Sequence, residues 1–328
     1  MSESTPPPPP SAADPALERL TAVRAEVGKV VVGQDAAVSG LIVALLCGGH
    51  VLLEGVPGTA KTLLVRTLAA ALDVRTRRVQ FTPDLMPGDI TGSMVLDPRS
   101  AELSFREGPL FTNLLLADEI NRTPPKTQSA LLEAMEERQV SVDGTSHPLP
   151  DPFLVAATQN PVEFEGTYPL PEAQLDRFLL KVVLPLPERS AEVEILRRHA
   201  DGFDPRDVAG AGVRAVAGPA DIHAAQRAVA GVSVGPEVAG YIVDLARATR
   251  ESPSLTHGVS PRGATALLRT ARAWAWLHGR DFTTPDDVKA LAQATLAHRL
   301  GLRPEAELDG VDATQVLAAA LAAVPVPR

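Results

Sequence analysis

The chain has 328 residues, enough for about two domains at roughly 150 residues each, and 45% hydrophobic with 22% charged residues is a globular balance. Lysine and arginine number 31 against 40 aspartate and glutamate, and the resulting net charge of -9 disfavours a broad duplex-binding face. The single cysteine, Cys47, excludes an internal disulfide framework and a cysteine-based zinc cluster, and no apolar run approaches the roughly 20 residues that span a bilayer.

Residues 1–14 contain Pro6-Pro7-Pro8-Pro9-Pro10, which lacks backbone N–H groups, so an extended, disordered tail is expected. The tail has no basic-then-apolar order of a signal peptide, and the chain is therefore expected in the reducing cytoplasm. Leu17, Leu20, Val23 and Val27 recur at helical spacing across 15–30. Val30-Val31-Val32-Gly33-Gln34 reads as a short extended piece, 35–46 as a second helix and 50–53 as a buried strand. A hairpin is expected from 91–96 and 102–105, joined by Asp97-Pro98-Arg99-Ser100.

Leu114-Leu115-Leu116-Ala117 and Phe153-Leu154-Val155-Ala156-Ala157 are short apolar runs followed at once by polar residues, as in a parallel sheet covered on both faces. Between them a helix over 126–137 presents Ala130, Leu131, Ala134 and Met135 on one face. Val140-Ser141-Val142 followed by Asp143-Gly144 predicts a second hairpin. Near Leu184-Pro185-Leu186-Pro187 the pattern changes, and beyond it only helices are expected, over 188–199, 220–229, 236–249, 261–277 and 285–297. The fold class is α/β: a parallel sheet flanked by helices over 15–186, then a smaller all-α domain over 187–328.

The chemistry starts at Gly55-Val56-Pro57-Gly58-Thr59-Ala60-Lys61-Thr62, between an apolar strand and a helix that opens at Leu63. Successive backbone N–H groups at a helix N-terminus suit phosphate; Lys61 can reach the outer phosphates and the Thr62 hydroxyl can ligate Mg²⁺. Ala60 stands where the strict pattern has glycine, which is tolerable only if its φ stays negative. Asp118 and Glu119 end an apolar strand at the sheet's carboxyl edge, the first suited to hold Mg²⁺ through water and the second to orient an attacking water. After the next strand, Asn160 is the favoured uncharged group for positioning that water, with Gln159 as competitor. Arg177 and Arg262 are the arginines singled out to meet charge on the transferred phosphoryl group, against the alternative of surface ion pairs.

Taken together, these elements resemble an AAA+ ATPase, and specifically the MoxR family. The resemblance runs over about 17–300 and rests on the phosphate loop, on Gly108-Pro109-Leu110 through Leu116-Ala117-Asp118-Glu119-Ile120-Asn121-Arg122, and on Gln128-Ser129-Ala130-Leu131-Leu132-Glu133-Ala134-Met135-Glu136-Glu137. Thr158-Gln159-Asn160-Pro161, Leu170-Pro171-Glu172-Ala173-Gln174-Leu175-Asp176-Arg177-Phe178 and Ser260-Pro261-Arg262 complete it. It implies a P-loop AAA+ core and a helical lid, with ATP and Mg²⁺ as cofactors. Lys61 and Thr62 then look like the Walker A pair, Asp118 and Glu119 like Walker B, and Asn160 like sensor 1. Arg177 looks like an arginine finger reaching a neighbouring subunit, Arg262 like sensor 2 on the lid, and Val32-Gly33 lies in the segment that meets adenine.

The resemblance also implies a ring homo-oligomer, a hexamer by family expectation, whose two hairpins could touch a client. Family members are chaperone-like remodellers, typically with a partner carrying a von Willebrand factor A domain. The alternatives are a motor acting on nucleic acid, a magnesium-chelatase-like motor subunit, and a non-hydrolysing nucleotide-gated scaffold, the last opposed by the intact Glu119. Cys47 reads as a small buried residue, and the seven histidines show no metal-ligand spacing. Trp274 and Trp276 cannot share a helical face, so one is expected in the core and one at a surface. Glu133, Glu136 and Glu137 read as a solvated helix face.

Overall fold

The computed structural model describes residues 14–96, 103–160 and 166–327. The expected tail over 1–13 and the hairpin tip at Asp97-Pro98-Arg99-Ser100 lie outside the described residues. Asp14, placed at the end of the tail by sequence, instead caps the first helix: its Oδ1 accepts from the Ala16 N–H at 2.9 Å. Its Oδ2 accepts from the Trp276 indole at 3.0 Å, tying the start of the core to the lid.

The core opens with α1 (Pro15–Gly28), α2 (Asp35–Leu46), β1 (Val51–Glu54), α3 (Lys61–Ala71) and β2 (Thr76–Gln80). It continues through α4 (Pro87–Thr91), the hairpin β3 (Gly92–Leu96) and β4 (Leu103–Glu107), then β5 (Leu114–Asp118) and α5 (Pro125–Glu137). A second hairpin, β6 (Gln139–Val142) and β7 (Thr145–Pro148), turns at Asp143 and Gly144, both at positive φ as a two-residue hairpin turn requires. Then come β8 (Leu154–Gln159), α6 (Glu172–Leu175), β9 (Leu180–Val183) and α7 (Arg189–Ala200).

Five strands form one parallel sheet in the order β2-β5-β8-β1-β9. Side chains alternate across it: Val51, Leu53, Leu114 and Leu116 join a core with α1, α2 and the lid, while Leu52, Leu115 and Ala117 join a core with α5. Sequence reading missed β2, whose Thr76-Arg77-Arg78-Val79-Gln80 is mostly exposed at the sheet edge and carries no apolar run. The strand order sets the carboxyl ends of β2, β5, β8 and β1 side by side, which is where the site forms.

After α7 come α8 (Pro219–Gly231), α9 (Pro236–Arg250), α10 (Pro261–Leu277), α11 (Pro285–Leu296), α12 (Pro304–Leu308) and α13 (Ala313–Ala323), with α7 inside the span 187–328 expected to form the lid. Each of the first five has proline at its start, where a missing N–H costs nothing. The expectation of helices alone is corrected here: β10 (Leu255–His257) and β11 (Gly301–Leu302) pair antiparallel between them. On α10, Trp276 is buried in the core and Trp274 is half-buried, packed against that same core rather than standing apart at a surface.

Candidate functional site

The phosphate loop leaves β1 at Glu54 and enters α3 at Lys61. Thr59 is buried and folds the loop on itself, its hydroxyl donating to the Val56 carbonyl at 2.9 Å. At Gly55 there is no room for a side chain, because a Cβ would meet the Leu184 carbonyl oxygen at 2.8 Å. Ala60 corrects a sequence expectation: its φ is 64° and ψ 21°, in the left-handed region rather than at negative φ. An L residue carries about 1–2 kcal/mol of strain there, which explains why glycine is the usual occupant. The turn aims the N-terminus of α3 into the cavity, and the Lys61 ammonium lies among the Gly55, Val56 and Gln159 carbonyls.

Asp118 is buried at the end of β5 and is held from three sides. The Thr62 hydroxyl donates to its Oδ2 at 3.2 Å and the Thr158 hydroxyl to its Oδ1 at 2.6 Å. Arg78 on β2 donates to Oδ2 from Nη2 at 2.8 Å and from Nε at 3.2 Å. Glu119, at φ 58°, turns off the strand, and its backbone N–H donates to the Thr158 hydroxyl at 2.9 Å. Its carboxylate accepts from Gln80 at 2.6 Å and from Arg122 at 3.1 Å. Thr158 thus holds both acids through one hydroxyl. Asn160 is buried on the cavity wall, whereas the Gln159 amide turns to the Glu54 carboxylate, which also pairs with Lys181 at 2.9 Å.

A cavity of about 570 Å³ joins these groups. Pro57 through Leu63, Asp118, Glu119 and Asn160 line it, as do Val30, Val31, Val32 and Gln34 from the segment between α1 and α2. Gly33, Gly55 and Val56 are not on its wall; Gly33 backs it, at positive φ against Ala191 of α7. Sequence reading missed Arg78 and Gln80, which β2 delivers beside the two acids, and Ile195, Arg198, His199 and Phe203, which close the far side. The parallel register that pairs Gln80 with Asp118 is what brings the β2 residues there.

Arg177 and Arg262 do not line this cavity. They come together in a second cavity of about 580 Å³ with Arg138, Arg269 and Arg299. Glu136 of α5 bridges them, meeting Arg177 Nε at 3.0 Å and Arg262 Nη1 at 3.1 Å. Asp176 meets Arg262 Nε at 3.4 Å and also pairs with Arg299. Glu136 is therefore an ion-pair partner rather than one of a purely solvated set of glutamates.

Cys47 lies outside both sites, buried, with its thiol pushed up to about 12 by burial. Among the described residues no cluster of three or more His, Cys, Asp or Glu could hold a metal on its own. Nor is any described helix long and apolar enough to cross a membrane.

Residues 50–180 match the family model described as "ATPase family associated with various cellular activities (AAA)", and 247–320 match an AAA lid domain. The chain is 47% identical over 302 residues to an uncharacterised protein, YeaC, of Bacillus subtilis, covering 92% of each. It is 42% identical over 312 residues to a chaperone, MoxR1, of Mycobacterium tuberculosis, covering 92% of this chain and 81% of that one. A crystal structure from Cytophaga hutchinsonii, described as a candidate ATPase, superposes with a TM-score of 0.87 at 41% identity, over 95% of this chain and 96% of that chain.

Proposed function

The chain belongs to the MoxR family of AAA+ ATPases, and we propose that it hydrolyses Mg²⁺-ATP between neighbouring copies of a cytoplasmic ring, a hexamer, to remodel a protein partner. The observation that carries this reading is the division of labour within one chain. The phosphate loop, both acids and Asn160 share one cavity, while Arg177 and Arg262 share another that, among the described residues, has none in common with it. An arginine suited to the transition state but remote from its own nucleotide cavity is most useful to a neighbour's.

The residues fit Mg²⁺-ATP. The Thr62 hydroxyl and Asp118 Oδ2 converge at 3.2 Å, an all-oxygen pair on the cavity wall. Bound by that pair, Mg²⁺ would neutralise charge across the outer phosphates. The α3 N-terminus and Lys61 bind the phosphates, and Val31 and Val32 meet the base. Glu119 orients the attacking water and takes up its proton as the new bond to the γ-phosphorus forms and the bond to the bridging oxygen breaks, leaving ADP and phosphate. Asn160 holds that water in line without adding charge. Arg177 and Arg262 from the adjoining copy stabilise charge on the equatorial oxygens, a role worth about 10³ to 10⁵ in rate.

The trans arrangement is tested by mixing two variants. Glu119→Gln lacks the water-orienting carboxylate and Arg177→Ala lacks the donated arginine, so each alone should be nearly inactive. Mixed rings place an intact Glu119 opposite an intact Arg177, and ATPase activity should return. No recovery in co-assembled rings would overturn the trans role. For the partner, a protein bearing a von Willebrand factor A domain, Glu119→Gln should capture it from native lysate only with ATP. Nuclease-sensitive capture of nucleic acid would favour a nucleic-acid motor instead, against which the net charge of -9 stands.

A further inference from the structure

α5 buries Leu131, Leu132 and Met135, which turns Glu136 outward at the helix end with its side chain 42% exposed. Two guanidinium groups reach it from separate parts of the fold. Arg177 follows α6 in the core, and Arg262 sits in the first turn of α10 in the lid. Each takes a different carboxylate oxygen: Arg177 Nε meets Oε2 at 3.0 Å and Arg262 Nη1 meets Oε1 at 3.1 Å. Asp176, next in sequence to Arg177, holds Arg262 Nε at 3.4 Å and anchors on Arg299, which is buried. The result is a chain of alternating charge, Arg177–Glu136–Arg262–Asp176–Arg299, that crosses from core to lid.

The geometry points to Glu136 as a positioning residue that sets both arginines as one unit for the neighbouring copy's phosphates. The assignment rests on the reading that Arg177 and Arg262 act in trans. Two like charges brought side by side repel, and a carboxylate between them removes that cost. The points of attachment matter as much as the charge. Arg177 meets the carboxylate at its inner nitrogen, Nε, while Arg262 donates to it from Nη1 and turns Nε towards Asp176. A guanidinium presents its donors in a fixed plane, so fixing one edge aims the other. An isolated ion pair at this exposure would contribute little to stability and nothing to turnover. The clamp therefore predicts a kinetic effect out of proportion to any thermal one.

The test is steady-state ATPase kinetics on the assembled full chain, with Glu136→Gln, Glu136→Asp and Arg177→Ala. Glu136→Gln keeps the size and one oxygen acceptor but removes the charge. It should lower kcat on the order of 10- to 100-fold, the range expected when a transition-state contact is misplaced by about 1 Å. KM for ATP should stay within about two-fold, because the clamp belongs to a different copy's cavity. Glu136→Asp should recover part of the loss, and melting temperature and ring assembly should match the unmodified protein. Glu136→Gln added to Arg177→Ala should cost less than the product of the two single losses, since part of the Glu136 effect runs through Arg177 and the rest through Arg262. A normal kcat in Glu136→Gln, or multiplying losses in the double variant, overturns the positioning role while leaving the trans arginines standing. Normal turnover in Arg177→Ala removes the trans reading, and the role of Glu136 falls with it.

Discussion

Thr158 offers the sharpest quantitative test of the site. Its side chain is fully buried, at 0% exposure, and its hydroxyl serves two partners at once. It donates to Asp118 Oδ1 at 2.6 Å and accepts from the Glu119 backbone N–H at 2.9 Å. Thr158→Val keeps the shape and deletes both bonds. A hydrogen bond to a charged group contributes about 1.5–3 kcal/mol, and a buried N–H left without a partner costs about 1–3 kcal/mol. The two losses share one side chain and do not simply add, and the new methyl group offsets part of them, so about 3 kcal/mol is expected. In a chain of this size that corresponds to a fall in Tm of about 4–5 °C. Freed of its anchor, the turn that carries Glu119 should also lose aim, lowering kcat by about ten-fold or more. Thr158→Ser is the control because it retains the hydroxyl. Thermal unfolding and ATPase rate for the three proteins decide the matter. A Thr158→Val protein that melts within about 2 °C of Thr158→Ser and turns over at the same rate would refute the coupling of both acids through this hydroxyl.

Ala60 sits at φ 64°, so Ala60→Gly should keep ATP binding and leave Tm unchanged or raised by a few degrees, while Ala60→Val should weaken nucleotide binding about ten-fold or more; equal binding by both would show the left-handed turn to be unimportant. His50 and His298 are buried, and burial pushes them down to about 4 and about 3 respectively, below the ordinary value near 6.5. Their folded values lie below the unfolded ones, so protonation favours unfolding and their contribution is intact at pH 7. Stability should fall as pH drops through about 6 to 4.5, on the order of 1 kcal/mol per pH unit for each histidine. Urea unfolding across that range should show the slope, and a flat profile between pH 7 and 5 would contradict it.

Much of this architecture is legible in the sequence because it is locally encoded. The ends of α2 and α10 fall where helical spacing and the residues after Gln34 and Ser260 place them. β1, β5 and β8 are interior strands buried on both faces, which leaves continuous apolar runs. The phosphate loop and the Asp118–Glu119 pair are likewise each a few consecutive residues. What escapes such reading is whatever depends on pairing between distant segments. β2 is an exposed edge strand of Thr, Arg, Arg, Val and Gln, and only its register against β5 brings Arg78 and Gln80 to the acids. The β10–β11 pair joins Leu255 to Leu302, too short and too far apart in sequence to leave a period. Ala60 is a different kind of failure, since composition argued for negative φ and the loop as a whole imposed the opposite.

The arginines show how the two kinds of information combine. The expectation that they meet phosphate is a local one, carried by Asp176-Arg177-Phe178 and Ser260-Pro261-Arg262. Their grouping is not, because it requires α5, the segment after α6 and α10 to meet at one cavity. Once they meet, Glu136 changes meaning from one of several glutamates on a helix to the carboxylate that both arginines share. Any motion of the lid against the core must then move Arg262 relative to Arg177, or carry Glu136 with it. If the arginines act on a neighbouring copy as proposed, closing the lid over one nucleotide and aiming them at the next would be parts of one displacement, coupling one site to the next.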